Sequence, residues 1–486
     1  QIMKILLYMG AMLLLLAAAC SEDKGNYNYL PVNTIVEDSI EGTYTVVQFD
    51  TLTIKPYLRF SREESEDLSF EWSIEGQVIS TDPVCHARIM MEPNDEKDVN
   101  NRWYDALLCI TDNTTGLKYY KSFRVTVNTA YSVALYMLSE GTDGQARLSF
   151  QRRDIPDAPI VHDVFEAANP RLGKLGKKPR QVYTGSIMSK TFVVICEEGD
   201  KKMAVLNRTN LKLDKNYNEE VVMGGYSGTF TPYEIKVLMG GMVVAKEGLL
   251  GYNYMNSAAL YRPIVGDYDF AHWVDCNYTM DAYLWISYDN KSEQFMRLEV
   301  SQGVAYDKVS PIPTPEDFST KGQKFLVGGH SGYDCSRPVL YNSAEKKAYF
   351  YKILMTADEW DMTTMQPIWE FSYSKIMERG NLLDEKSVTV FGENSLYWFI
   401  ANGNKIVRLH GDGGEAKEVY TAPQGEVTTM MLDAKEERLF VVAYDGSKSY
   451  IYSVGVLNED WGKLKELPLE MEGKIVSVAA TGSWKY

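Results

Sequence analysis

Leu396-Tyr-Trp-Phe-Ile-Ala401, running straight into Asn402-Gly-Asn404, is the stretch from which the architecture can be read. A short apolar and aromatic run has the length and composition of a β-strand, and an Asn-Gly pair supplies the backbone of a tight hairpin turn. The same unit of strand, polar turn and second strand recurs down the chain. Val133 to Ser139 turns at Gly141-Thr-Asp-Gly144, Thr191 to Cys196 at Glu198-Gly-Asp200, Tyr283 to Ser287 at Asp289-Asn290, and Arg438 to Ala443 at Asp445-Gly446; Met242 to Ala245 and Ala348 to Ile353 complete the set. Seven such hairpins, starting about 50 residues apart on average, fall within the repeat length of propeller blades. The expected fold of residues 129–486 is therefore a seven-bladed β-propeller, six or eight blades being the neighbouring counts and a long open sandwich the competing arrangement. Radial repetition favours the ring, because it hides the sheet edges that a strand-rich chain has to protect.

A second repeat agrees with that count. Gly224-Gly-Tyr-Ser-Gly228 returns as Gly328-Gly-His-Ser-Gly332, offset by 104 residues, and each copy is followed by a proline, Pro232 or Pro338. Both are expected at the start of inner strands, where glycine allows close approach of backbone to backbone or of backbone to a ligand.

Upstream the pattern changes to short alternating runs: Tyr44-Thr-Val-Val-Gln-Phe49, Leu52 to Pro56, Leu68 to Ile74, Ala106 to Ile110 and Tyr119 to Val127. Period-two alternation between Asp-, Gly- and Asn-containing turns predicts a small immunoglobulin-like sandwich over residues 34–128, so the whole chain is read as all-β. Trp72 alternates with Phe70 and Ile74 and is expected in its core, and Asp112-Asn-Thr-Thr-Gly116 is expected to turn a hairpin. Trp72 precedes both Cys85 and Cys109, so the Cys-Trp-Cys order of immunoglobulin domains is absent; a Cys85–Cys109 bridge and two buried free thiols are both open.

Residues 1–19 read as an address. Lys4 gives a basic start, and Ile5 to Ala19 is an apolar run too short to span a bilayer comfortably; it ends Ala17-Ala-Ala-Cys20. A cysteine directly after small residues is the pattern of a bacterial lipoprotein signal, with Cys20 acylated and residues 20–33 a flexible lead; plain secretion with cleavage after Ala19 is the alternative. Ser21-Glu-Asp23 resembles the acidic export signal of Bacteroidetes surface lipoproteins.

Cys20-Ser-Glu-Asp-Lys-Gly-Asn-Tyr-Asn-Tyr29, with Asp50-Thr-Leu-Thr-Ile54, Phe70-Glu-Trp72 and Phe123-Arg-Val-Thr-Val127, resembles the PKD-like family lipoproteins of Bacteroidetes. The resemblance covers about the first quarter of the mature chain. It implies a PKD-like sandwich, lipid anchoring in the outer membrane facing outward, and a place beside nutrient-uptake systems built from a TonB-dependent transporter and its lipoprotein partner. It carries over no catalytic residue.

Composition narrows the function classes. A formal net charge of −16 repels a phosphate backbone, which argues against nucleic acid as partner. The basic cluster Lys174, Lys177, Lys178 and Arg180, broken by Gly173, Gly176 and Pro179, reads as a solvated loop. The five histidines have no zinc-hydrolase spacing, the Ser227 and Ser331 glycines are out of register for a nucleophile elbow, and no phosphate-binding loop opens a helix, so neither metal nor cofactor is expected. The mix of aromatics and carboxylates in Asp267-Tyr-Asp-Phe-Ala-His-Trp-Val-Asp275 suits a glycan; a loop whose tryptophan packs between blades is the other reading. Tyr226, His272, Trp273 and His330 are accordingly the candidate ligand residues, on one face of the propeller. The function expected is a non-enzymatic surface module that binds a glycan, another polymer or an uptake-system protein. A propeller glycoside hydrolase or lyase using channel carboxylates and a pure protein scaffold are the competing classes.

Overall fold

The computed structural model describes residues 33–62, 67–94, 102–185, 192–237, 240–253, 259–279, 282–301, 305–332, 334–457 and 460–482. Cys20 and the Lys24-Gly-Asn-Tyr27 stretch lie outside the described residues. The chain divides into two compact units between Asn128 and Thr129.

In the first unit a five-stranded sheet has the spatial order Thr43–Val47, Lys118–Asn128, Tyr104–Asp112, Leu68–Ile74, Gln77–Ser80, its first pair parallel and the rest antiparallel. Thr51–Ile54 pairs with Cys85–Arg88, and Ile35–Asp38 with Leu58–Phe60. Alternation decides what is buried: Leu52, Ile54, Cys85 and Ala87 close over Trp72, Ile74, Leu108, Ile110, Phe123 and Val125 in one core. Trp72 is fully buried, edge-on to Phe123 at 6.2 Å, and its indole N–H donates to the Asp82 carbonyl at 2.9 Å. The Asp112 turn forms as expected, the Gly116 N–H donating to the Asp112 carbonyl at 2.7 Å. Cys85 and Cys109 are both free. Cys109 alternates with the core residues Leu108 and Ile110 and therefore faces away from the core that Cys85 joins, so the two thiols cannot meet.

In the second unit seven four-stranded antiparallel sheets follow one another among the described residues. Numbered as blades from the N-terminus, their innermost strands are Lys474–Thr481 (blade 1), Lys177–Thr184, Pro232–Val237, Asp275–Thr279, Lys324–Ser331, Val388–Phe391 and Glu426–Leu432 (blade 7). Blade 1 is composite. The last strand of the chain pairs with Ala134–Glu140, Ala134 opposite Thr481, so the end of the unit completes the sheet begun at its start. The second strand of each blade is apolar on both sides: Ala134–Glu140, Phe192–Glu198, Gly241–Ala245, Tyr397–Asn402 and Arg438–Tyr444 are almost wholly buried because a neighbouring blade covers each face.

Blade 5 departs from the pattern. Its outer strands, Lys347–Asp361 and Gln366–Gly380, run 15 residues each, while pairing to the second strand stops at Leu354. Beyond that point the hairpin is an arm whose tip leaves Met362, Met365 and Ile368 exposed beside Asp358 and Glu359. The Ala348 to Ile353 run is thus a third strand, not a second.

The basic cluster is corrected as well. Lys177, Lys178 and Arg180 belong to the innermost strand of blade 2 and not to a loop, because Pro179 is buried and Lys178 and Arg180 pair with Glu198 and Glu197 on the adjacent strand.

Candidate functional site

Three innermost strands bring opposite charges together. Lys236 of blade 3, Asp275 of blade 4 and His330 of blade 5 meet between three consecutive blades. Asp275 is fully buried. Its Oδ1 takes Lys236 Nζ and, at 3.0 Å, the Cys276 N–H; its Oδ2 takes the Ser336 hydroxyl and lies 3.0 Å from His330 Nδ1. Asn277 Nδ2 donates to Ser336 Oγ at 3.1 Å and fixes that hydroxyl from behind. Burial alone would raise the Asp275 carboxyl, but Lys236 and His330 outweigh it and hold the group far below the usual carboxylate range. Burial would likewise lower His330 and Lys236; Asp275 outweighs it at both, so both stay protonated more readily than in water.

Next to this cluster the ring axis is open. A cavity of about 660 Å³ is lined by Arg180 to Thr184 of blade 2, Tyr233 and Glu234 of blade 3, Thr389 of blade 6, Thr429 to Leu432 of blade 7 and Val476 to Ala480 of the closing strand. Innermost strands of blades on opposite sides of the ring share this lining, which sets the cavity on the axis. A second cavity, also about 660 Å³, shares Arg180 and Val476 and adds Lys178, Glu197, Glu426 and Lys474. Arg180, which lines both, lies 5.1 Å from the centre of the Tyr233 ring, and that ring contacts the His272 imidazole at 4.5 Å with the planes tilted by 41°, giving a cation–aromatic–imidazole group with His272 outside the two linings. Burial pushes the Glu234 carboxyl up to about 7, against the pull of Lys236.

The residues singled out from sequence do not form one face. His272 is exposed, on Tyr233, and His330 belongs to the Asp275 cluster. Trp273 is only 7% exposed and stacks on Phe325 at 4.9 Å in the core between blades 4 and 5, so it offers no face to a ligand. Tyr226 sits in the loop ahead of blade 3, its hydroxyl donating to the Thr229 carbonyl at 2.5 Å.

The two glycine motifs also part company. Gly224 and Gly225 make a loop turn at φ 83° and 68°, whereas Gly328 and Gly329 lie within the innermost strand of blade 5. A Cβ on Gly328 would stand 2.1 Å from Trp273 Nε1, and one on Gly329 2.6 Å from the Phe391 ring. Crowding between blades, not ligand approach, is what requires glycine there. Gly328→Ala should cost about 1–3 kcal/mol of stability through overpacking, read as a lowered thermal midpoint; an unchanged midpoint would refute the crowding account.

Arg180, Tyr233 and Glu234 were not anticipated. In the sequence they stand only in two short mixed runs, Pro179-Arg-Gln-Val-Tyr183 and the alternating Tyr233-Glu-Ile-Lys236.

Seven radial sheets around an axial cavity define a β-propeller, preceded here by an immunoglobulin-like sandwich. Residues 20–179 match the model of the PKD-like family, so the chain carries a PKD-like segment that runs through the sandwich and the three N-terminal strands of blade 1 to the first residues of blade 2. No protein of curated function matches the sequence. Among solved structures, a quinoprotein alcohol dehydrogenase-like protein of Bacteroides thetaiotaomicron aligns over 93% of this chain and 96% of its own, at 13% identity and a TM-score of 0.43. The Cps50 (Swd1) β-propeller domain of Myceliophthora thermophila aligns over 64% of this chain and 89% of its own, at 10% identity and a TM-score of 0.38.

Proposed function

We propose that this chain is a lipoprotein of the outer cell surface, anchored through Cys20, whose propeller binds a glycan or related polymer as an accessory to nutrient uptake and does not cleave it. The observation that carries this reading is the axial cavity bordered by the Arg180–Tyr233–His272 group. An aromatic ring supplies a face for a sugar, flanking polar groups serve its hydroxyls, and the volume lies in the range of small-ligand sites. Hydrolysis by two carboxylates is less well supported. The raised Glu234 stems from burial and from no neighbouring carboxylate, whereas an acid and nucleophile pair close enough to act would raise one another.

The test is a polysaccharide panel on the protein lacking residues 1–20, reading retention and released reducing ends together. Retention without release, weakened about tenfold or more by Tyr233→Ala at the loss of one stacking face, is the expected result. Released sugar would overturn the binding role. Silence in both readings would do so too and would turn attention to a protein partner for the exposed tip of the blade 5 arm.

A further inference from the structure

We infer that the axial cavity selects a ligand bearing a cationic amine, held by Glu234, so that the polymer bound is one with free amino sugars. This rests on the glycan-binding reading above and gives it a substrate class.

Glu234 lies on the innermost strand of blade 3 and lines the cavity. The charges nearest it are already engaged. Lys236, two residues on along the same strand, is held by Asp275, and Arg180 of blade 2 is paired with Glu197. Tyr233 beside it and Tyr183 opposite are the other titratable groups of these strands that line this cavity, Lys178 lying along the second cavity and paired with Glu198, and the Tyr183 hydroxyl donates to the Val237 carbonyl at 3.0 Å. Blades 6 and 7 and the closing strand bring only uncharged side chains to this cavity. Among the described residues no side chain donates a hydrogen bond to the Glu234 carboxyl.

Glu234 is half-buried at the cavity wall, and a carboxylate that loses part of its water without gaining a partner is disfavoured, which pushes this one up to about 7. An ammonium brought into the cavity removes that cost, because it supplies charge and hydrogen bonds where the protein supplies neither. Charge-assisted hydrogen bonds are roughly twice as strong as neutral ones, so a hydroxyl or an N-acetyl group in the same place satisfies the carboxyl less well. A ligand carrying free amines is therefore distinguished from its acetylated counterpart at this one residue. The binding event also draws the proton off Glu234 when the amine arrives charged.

The experiment compares chitosan tetrasaccharide with its fully N-acetylated form, by titration calorimetry at pH 6.5 in 150 mM salt. It uses the unaltered propeller-bearing chain, Glu234→Gln, and Glu385→Gln as a control that removes the same charge from an exposed site. The control is needed because a chain of net charge −16 attracts any polycation. The expected result is a preference for the free amine of about tenfold in the unaltered chain and in Glu385→Gln, abolished in Glu234→Gln. Glutamine matches the protonated carboxyl in shape, so this variant should fold, which its circular dichroism checks. If the preference survives in Glu234→Gln, or neither sugar is preferred, the inference fails while glycan binding stands. If only neutral polysaccharides of the panel are retained, the inference again fails alone. Silence toward every sugar would overturn both.

Discussion

Replacing Asp275 by alanine should destabilise the propeller by about 3–5 kcal/mol, the largest effect expected of any single polar substitution in this chain. The carboxylate is fully buried and neutralises groups from two other blades, so its removal leaves Lys236 and His330 without the counter-charge bonded to both, with only the attraction of Glu393 remaining, and Ser336 without its acceptor. Asp275→Asn keeps the volume and one acceptor and should cost less than alanine. The same cluster sets a pH window. His330 is raised above its unfolded value near 6.5, so its contribution is complete below that value and is lost as pH climbs through the folded one. Asp275 is depressed, so its contribution is complete above the unfolded 3.8 and is lost only as pH falls through its lowered value. Thermal midpoints measured across pH should be highest between about 4 and 6.5 for this cluster and decline toward alkaline pH, a decline that His330→Gln should flatten. An Asp275→Ala midpoint equal to that of the unaltered chain would show that the cluster is not what ties blades 3, 4 and 5 together.

Trp72→Ala should cost the N-terminal sandwich a similar amount, about 3–5 kcal/mol, by a different route. The indole has no exposed surface and meets Phe123, the other buried aromatic ring among the described residues of this unit, edge-on, so alanine opens a cavity in the middle of a small core. The Asp82 carbonyl loses its donor as well. Limited proteolysis resolves the two units: cleavage within residues 33–128 should accelerate sharply while the propeller fragment persists. Equal resistance of that segment in both proteins would contradict the role given to Trp72.

How much of this was legible in the sequence follows from which face of each strand meets what. The second strands of the blades are covered on both sides, so Leu396 to Ala401 and Arg438 to Ala443 stand out as continuous apolar runs and the blade count could be taken from them. Innermost strands show one edge to the axis and mix charge with apolar residues, and where Gly173, Gly176 and Pro179 also break the basic cluster it reads locally as loop, although Lys177 to Arg180 lie in a strand. His330 and Asp275 were both within motifs picked out for their chemistry. Their pairing, and that of Asp275 with Lys236, joins three blades across 55 and 39 residues, separations fixed by intervening outer strands and by no local rule. The cluster Asp267 to Asp275 misled for a related reason: it crosses from the exposed rim to the core within a few residues, so His272 ends on the surface and Trp273 beneath it. The cysteines were decided by strand parity, which needs the register of two separate strands.

Blade 1 draws its second strand from residues 134–140 and its innermost strand from residues 474–481, and the Ala134 N–H donates to Thr481 Oγ1 across the join. The sheet that starts the ring is therefore the last to be finished. A ribosome or an export channel delivering the chain from its N-terminus hands over six blades before the clasp for the first exists, and until then Ala134–Glu140 waits with one edge unpaired. Closing a loop this long adds little to its entropic cost per residue, but it makes assembly slow and all-or-none. The final strand thus acts as a completeness check: a chain cut short before residue 474 keeps most of its residues and has no closed ring.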